Sequence, residues 1–528
     1  MRRFDFEAIA TFASVFGLAS GPPVIFSALV LGAASATSFA EAHAATLDIT
    51  DLSNRETVPP NMRNALKIDA FDDPILRETF REASEAFRAG DHARAAERGR
   101  RLAELTPDSP QGWHILGLAL INLGDERAAL DALSEAAGRY DRNADPLVLI
   151  GDILRNRGDL EGAREAYADA FARNPQDWRP AEGLGAVAVE RGDPTAALAH
   201  YSEAGALAPR NLDLRLQIAR LQVAEGDMDG ARAGLETFVA ANPDAVGGRI
   251  ALGRLAFLTG DPGTASAQFD AAIALDAADP RWRILKARAQ RDAGELDAAQ
   301  ATLSQAHAAF PDASDVTFEL ASLHGLRRSY PEAVALFERG VARWPAIAKF
   351  HAGLARAAYR IGDHAKALAP AAHLAALPNA TSAEHLQHAL VLERLGREAD
   401  AISAYDAALA VDGDNWIAAN NLANLLFAAA PARALALARG AAARAPDNLS
   451  VRRTSAWATY MAGDVEAARA AYAALEADEA DDPVQLFRHA VVLQDAGEAG
   501  AARGKLEAAL ALSDTFDGVE EARRRLMD

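Results

Sequence analysis

Residues 144–175 read ADPLVLIGDILRNRGDLEGAREAYADAFARNP. Gly151, Leu154, Gly158, Ala163, Tyr167, Ala170 and Pro175 are its marks, and moving the frame by 34 residues finds similar residues again. One step back gives Gly117, Leu120, Gly124, Ala129, Leu133 and Ala136; one step forward gives Gly185, Ala188, Gly192, Ala197, Tyr201, Ala204 and Pro209. Self-similarity at a fixed period marks a tandem array, so the repeat is the unit in which this chain must be read.

Each mark has a physical job in a pair of antiparallel helices. Small residues at Gly151 and Ala163 let two helix axes approach, and Ile150, Leu154 and Tyr167 fill the seam beside them. Gly158 can take the left-handed backbone that ends a first helix, Asp159 can cap the second, and Pro175 stops that second helix from running on. The pattern resembles the tetratricopeptide repeat family, a helix-turn-helix unit of 34 residues. The resemblance implies an all-α solenoid wound as a right-handed superhelix, with an inner surface that binds partners.

The rest of the chain extends the period. Gly90-Asp91, Gly124-Asp125, Gly158-Asp159, Gly192-Asp193, Gly226-Asp227, Gly260-Asp261 and Gly294-Glu295 are evenly spaced turn signals. The eighth unit has Arg328-Ser329 instead but keeps Ala333, Phe337 and Pro345, and Gly362-Asp363 and Gly396 resume the phase. The eleventh is one residue short between its helices, with Pro431 expected in the turn; Gly463-Asp464 and Gly497-Glu498 complete thirteen repeats over residues 75–512. Residues 513–528 place Phe516, Val519, Ala522 and Leu526 at helical spacing among charges, the composition of a solvating cap helix at an open end.

Composition agrees with this reading. Half of the 528 residues are hydrophobic while aromatics are 6%, which fits close-packed helices lined by small side chains. A periodic array grows without one large core, so length does not count domains. The net charge of −20 argues against a nucleic-acid partner, whose affinity comes mainly from phosphate neutralisation. With no cysteine, disulfides, thiol catalysis and Cys-ligated zinc are excluded.

Residues 1–44 read as a secretory signal. Arg2 and Arg3 precede an apolar run from Pro23 to Ala40, and Ala42-His43-Ala44 has the small-x-small form of a cleavage site before Ala45. The expected location is therefore periplasmic or secreted. The rival is an uncleaved inner-membrane anchor, the one case in which a membrane is a partner. Residues 45–74, with Pro59-Pro60 and no helical period, read as a linker or irregular cap.

No P-loop, HExxH or GxSxG motif is present, so no catalytic residue and no cofactor is expected, and no stretch outside the array is long enough for a catalytic domain. That absence counts against a glycosyltransferase or sulfotransferase bearing such repeats. His351, His364, His373, His385 and His388 thicken locally, but without regular ligand spacing they read as helix-surface histidines rather than a metal site.

The functional signal lies on the first helices. The stripe five and nine residues into each repeat is expected to line the inner surface, and its ninth position carries Arg220, Arg254, Arg288 and Arg356, with Ser322 breaking the run. Arg220, Arg254 and Arg356 have no acid three or four residues away, while Arg281, Arg291, Lys349 and Arg360 lie on or beside the stripe. Such a ladder suits an acidic, extended protein segment or an anionic polysaccharide. Farther on, Asn420 and Asn424 take the fifth and ninth positions of the eleventh repeat, Trp457 the ninth of the twelfth, and Tyr460 follows a turn later. Amides and aromatics there suit peptide backbone or sugar, and packing against the next helix serves equally well. The stretch Asn420-Asn421-Leu422-Ala423 followed by Ala456-Trp457 resembles repeat proteins of bacterial exopolysaccharide and exosortase systems. The Lys-Asn clamp of chaperone-binding relatives is not present in its usual arrangement. The first expectation is a non-enzymatic scaffold for protein–protein interaction in the cell envelope; the second is a binding subunit for an anionic polysaccharide, with Trp457 and Tyr460 as sugar platforms.

Overall fold

The turn between Gly158 and Asp159 shows how one sequence pattern sets the local structure. In the computed structural model Gly158 takes φ 82°, and Asp159 N–H reaches back to Leu154 O at 2.9 Å, closing the first helix. The Asp159 carboxylate then accepts from Gly162 N–H at 3.0 Å and starts the second. The structure describes residues 73–476 and 481–527. The expected signal and nearly all of the expected linker lie outside them.

Twenty-seven α-helices and no strand occupy the described residues. They fall into two compact units, Met1–Gly294 and Glu295–Asp528. The first unit holds α1 (Pro74–Arg88), α2 (His92–Leu105), α3 (Pro110–Leu123), α4 (Glu126–Arg139), α5 (Asp145–Asn156) and α6 (Leu160–Arg173). It continues with α7 (Trp178–Glu190), α8 (Pro194–Leu207), α9 (Leu212–Ala224), α10 (Met228–Ala241), α11 (Val246–Leu258), α12 (Pro262–Leu275) and α13 (Pro280–Asp292). The second holds α14 (Leu296–Ala309), α15 (Ser314–Leu326), α16 (Tyr330–Arg343), α17 (Ala348–Arg360), α18 (His364–Ala375), α19 (Ser382–Arg394) and α20 (Glu398–Val411). It ends with α21 (Trp416–Leu426), α22 (Pro431–Arg444), α23 (Leu449–Met461), α24 (Val465–Ala473), α25 (Pro483–Asp495), α26 (Ala499–Leu512) and α27 (Val519–Met527). Taken two by two within each unit, α1 to α12 and α15 to α26 are twelve of the thirteen expected helix pairs, the two helices of the remaining repeat, α13 and α14, belong to different units, and α27 is the expected cap, with Ala522 fully buried and Phe516 packed on Phe487.

The seams are built as the small residues require. Tyr167 of α6 is 1% exposed and lies so close to Gly151 of α5 and Gly183 of α7 that a Cβ on either glycine would fall 2.6 or 2.5 Å from its ring. Its hydroxyl donates to Asp152 Oδ1 at 2.6 Å. One tyrosine therefore joins the two helices of its own repeat to the first helix of the next.

Within each unit the first helices of successive repeats also touch one another, as α1 touches α3, α9 touches α11, and α21 touches α23. They form the tighter wall. This moves the fifth position of three repeats away from where the periodicity put it: Leu216, Ile250 and Ile284 are buried instead of lining a free surface. Pro431 differs too, since it is the first residue of α22 and not part of the turn. The missing residue is real: α22 begins one position early, and Phe427 ends α21 in the right-handed region with no glycine.

Candidate binding groove

Three first helices of the second unit, α21, α23 and α25, start on side-chain caps of one design. Asn415 accepts from Ala418 N–H at 3.0 Å, Asn448 from Val451 N–H at 3.2 Å, and Asp482 from Val484 and Gln485 N–H at 3.1 and 3.2 Å. With their starts fixed, the helices present a concavity of about 440 Å³ lined by Asn424, Leu449, Ser450, Arg453, Thr454, Asp482, Gln485 and Arg488.

The polar groups there are partly tied to one another. Asn424 Nδ2 donates to Thr454 Oγ1 at 3.2 Å and to Asn420 O at 3.0 Å. Arg453 Nη1 lies 3.1 Å from Asp482 Oδ2. Arg488 is held differently: its guanidinium sits 5.1 Å from the centre of the Trp457 ring and 5.6 Å from that of Phe427. Burial pushes its pKa below the ordinary arginine value, against the opposing pull of the Tyr472 hydroxyl, Asp517 and Asp482. Gln485 is buried, and its Oε1 finds no donor.

The residues singled out in the sequence fall unevenly. Asn424 lines the groove. Asn420 is buried in the seam behind it, its amide donating to Asn421 Oδ1 at 3.2 Å. Trp457 and Tyr460 stack on each other with ring centres 4.9 Å apart, and the Tyr460 hydroxyl donates to Asp495 at 2.7 Å. Both rings pack into the apolar clusters around α23 and α25 and so brace the groove from behind.

Arg220, Arg254 and Arg288 stand on successive first helices of the first unit, α9, α11 and α13. Arg220 and Arg254 are half-buried, Arg288 is exposed, and Arg220 overhangs a void of about 10 Å³ lined by Leu216, Ala219, Val223, Leu235, Ala251 and Leu255. Arg220 and Arg254 lack an acid three or four residues away and Arg288 has Asp292 there, and each of the three has an interaction partner in the structure. Arg291 pairs with Asp292 at 2.6 Å, Arg281 with Asp279 at 2.7 Å, and Lys349 with Asp315. Arg356, in the second unit, is half-buried, and burial lowers its pKa from the usual value. Of the histidines, His351 and His373 stack 4.1 Å apart; among the described residues no group of three or more histidine or acidic side chains is placed to hold a metal.

Gln485 and Arg488 lie off the fifth and ninth positions, while Arg453 stands at the fifth position of the twelfth repeat as a lone arginine with no ladder beside it. The available signal was the sixth position, where Thr454 and Arg488 stand one repeat apart.

Tetratricopeptide repeat models match residues 80–144, 148–211, 188–252, 284–345, 325–381 and 386–430, together more than half of the chain. The chain belongs to the tetratricopeptide repeat family. Among solved structures, this repeat chain is similar to the Cut9–Hcn1 hetero-tetramer of the APC/C, at 14% identity and a TM-score of 0.38 over 86% of this chain and 96% of that one. It is also similar to pilF of Pseudomonas aeruginosa, at 20% identity and a TM-score of 0.33 over 40% and 97%. A third likeness is to the C-terminal part of a tetratricopeptide repeat protein of Cytophaga hutchinsonii, at 15% identity and a TM-score of 0.37 over 52% and 98%. These likenesses say nothing about what the present repeats bind. No curated protein matches the chain. Tetratricopeptide repeats as a class serve protein–protein interaction, and that general role extends to this chain.

Proposed function

We propose that the chain is a non-catalytic scaffold of the cell envelope that holds partner proteins by extended segments laid along its first-helix walls. The observation that carries this reading is the groove of α21, α23 and α25, a preformed concavity whose lining is polar and whose helices are fixed by caps and mutual contact. The arginines of α9, α11 and α13 add positive charge to a strongly acidic molecule, and an acidic segment is the partner they suit. Export rests on the apolar run and the Ala42-His43-Ala44 cleavage pattern.

Binding of an anionic polysaccharide draws on the same arginines. It is less favoured because Trp457 and Tyr460, its sugar platforms, are taken up by each other and by Arg488. The test is cross-linking of the full chain in envelope extracts, comparing wild type with a variant carrying Arg220→Ala, Arg254→Ala and Arg288→Ala. Protein partners that are recovered at low salt and lost from the folded variant support the ladder's part. Equal recovery at low and high salt would reduce the ladder to a solvated helix face, and recovery of no protein at all would sink the scaffold itself. Mass spectrometry of native material should find Ala45 at the N-terminus; an intact Met1 removes the export claim.

A further inference from the structure

We propose that the groove between α21, α23 and α25 seats one acidic side chain of an extended peptide segment, with Arg488 as its counter-charge. This rests on the scaffold reading and names the chemistry of the partner. At about 440 Å³ the concavity is too small for a folded domain and matches a few residues of a peptide.

The charge is supplied in an unusual way. Asp482, the one acid lining the groove, already caps α25 and pairs with Arg453. Among the described residues Arg488 makes no ion pair of its own, and its guanidinium is oriented by two aromatic rings. A cation partly stripped of water and held on rings gives up little freedom when a carboxylate meets its planar fork of donors. Arg488 is thus preorganised for a carboxylate, with Asp482 and Asp517 near enough to act on its charge but not ion-paired with it.

The remaining lining selects a peptide over a sugar. Asn424, Ser450, Thr454 and Gln485 bring amide and hydroxyl groups to the same space, and the Gln485 Oε1 is a buried acceptor without a donor. Amide and hydroxyl side chains both donate and accept, so they can pair with the N–H and the C=O groups of a main chain. A sugar ring needs an open aromatic face. Trp457 is instead covered by Tyr460 and Arg488, and neither aromatic lines the groove.

The experiment pans a displayed library of random short peptides against the full chain and titrates the selected peptides by fluorescence polarisation. The expected result is a shared Asp or Glu whose replacement by Asn or Gln weakens binding about tenfold or more, with Arg488→Gln doing the same. Since Arg488 also packs on Trp457, Ser450→Asp is the second variant: Ser450 is exposed in the first turn of α23, where an added acid favours the helix but repels an anion in the groove. It should weaken binding several-fold, while Arg100→Gln, on the exposed face of α2 in the other unit, should leave it unchanged. A library that yields no peptide, or peptides that bind both variants as tightly as wild type, overturns the proposal. In the latter case the scaffold reading stands, because a peptide is still held. Tighter binding of oligogalacturonate than of every selected peptide, lost in the same two variants, also overturns it and gives the groove to an acidic polysaccharide.

Discussion

Arg328 takes φ 61°, the one left-handed backbone among the described non-glycine residues, at the turn position where most other repeats place a glycine. A side chain there crowds the following carbonyl, a cost of roughly 1–2 kcal/mol that glycine avoids. Arg328→Gly should therefore raise stability by about 1 kcal/mol, read as a higher urea midpoint at unchanged slope. His114 carries a different cost. It is fully buried beside Tyr140, and burial, aided by the Arg179 charge, pulls its pKa from 6.5 to about 4. A folded-state pKa below the unfolded one means that the unfolded chain binds the extra proton. The contribution of His114 to stability is complete above pH 6.5 and is lost as the pH falls toward 4. Urea unfolding at pH 7 and pH 5 should show wild type losing more stability than His114→Gln; equal losses would mean that His114 takes up its proton in the fold as readily as in the unfolded chain.

At the level of the helix pair, the most exacting contact is the Tyr167 ring between Gly151 and Gly183. Its hydroxyl is tied to Asp152, so the ring cannot swing aside, and Gly183→Ala should cost about 1 to 3 kcal/mol. Gly138, in α4 with nothing near its would-be Cβ, is the control: there alanine should gain up to about 1 kcal/mol from helix propensity. The contrast also explains what a reader of the sequence could see. Gly158, Asp159 and the other turn residues act through their own backbone, so their spacing alone places the helices and their caps. Asn424 was legible as a polar residue on a first helix for the same reason. Arg488 was not, because its role comes from Trp457 and Phe427 on two other helices, and no local pattern records which rings will meet a given guanidinium. The burial of Leu216, Ile250 and Ile284 at the fifth position was likewise hidden. It depends on how closely successive first helices approach, which is a property of neighbours and not of one repeat.

Over the whole molecule, helices meet chiefly those just before and after them in sequence, so stability is close to a sum of local terms. The damage from Gly183→Ala should stay local: hydrogen exchange should quicken in α5 to α8 and remain unchanged in the repeats of the second unit. Faster exchange everywhere would mean that the array unfolds as one cooperative body. The early start of α22 follows the same logic. A residue has been lost beside Pro431, yet the helix pairs on both sides are complete, and the later pairs run on from the displaced start. Phase is thus set afresh at each turn and is not inherited from the repeats before it. The gene for such a chain is therefore forgiving of unequal recombination: a copied or deleted stretch need not be an exact multiple of the period, provided its ends fall between helices. Copy number can then drift over generations while a groove built from three adjacent repeats passes on intact.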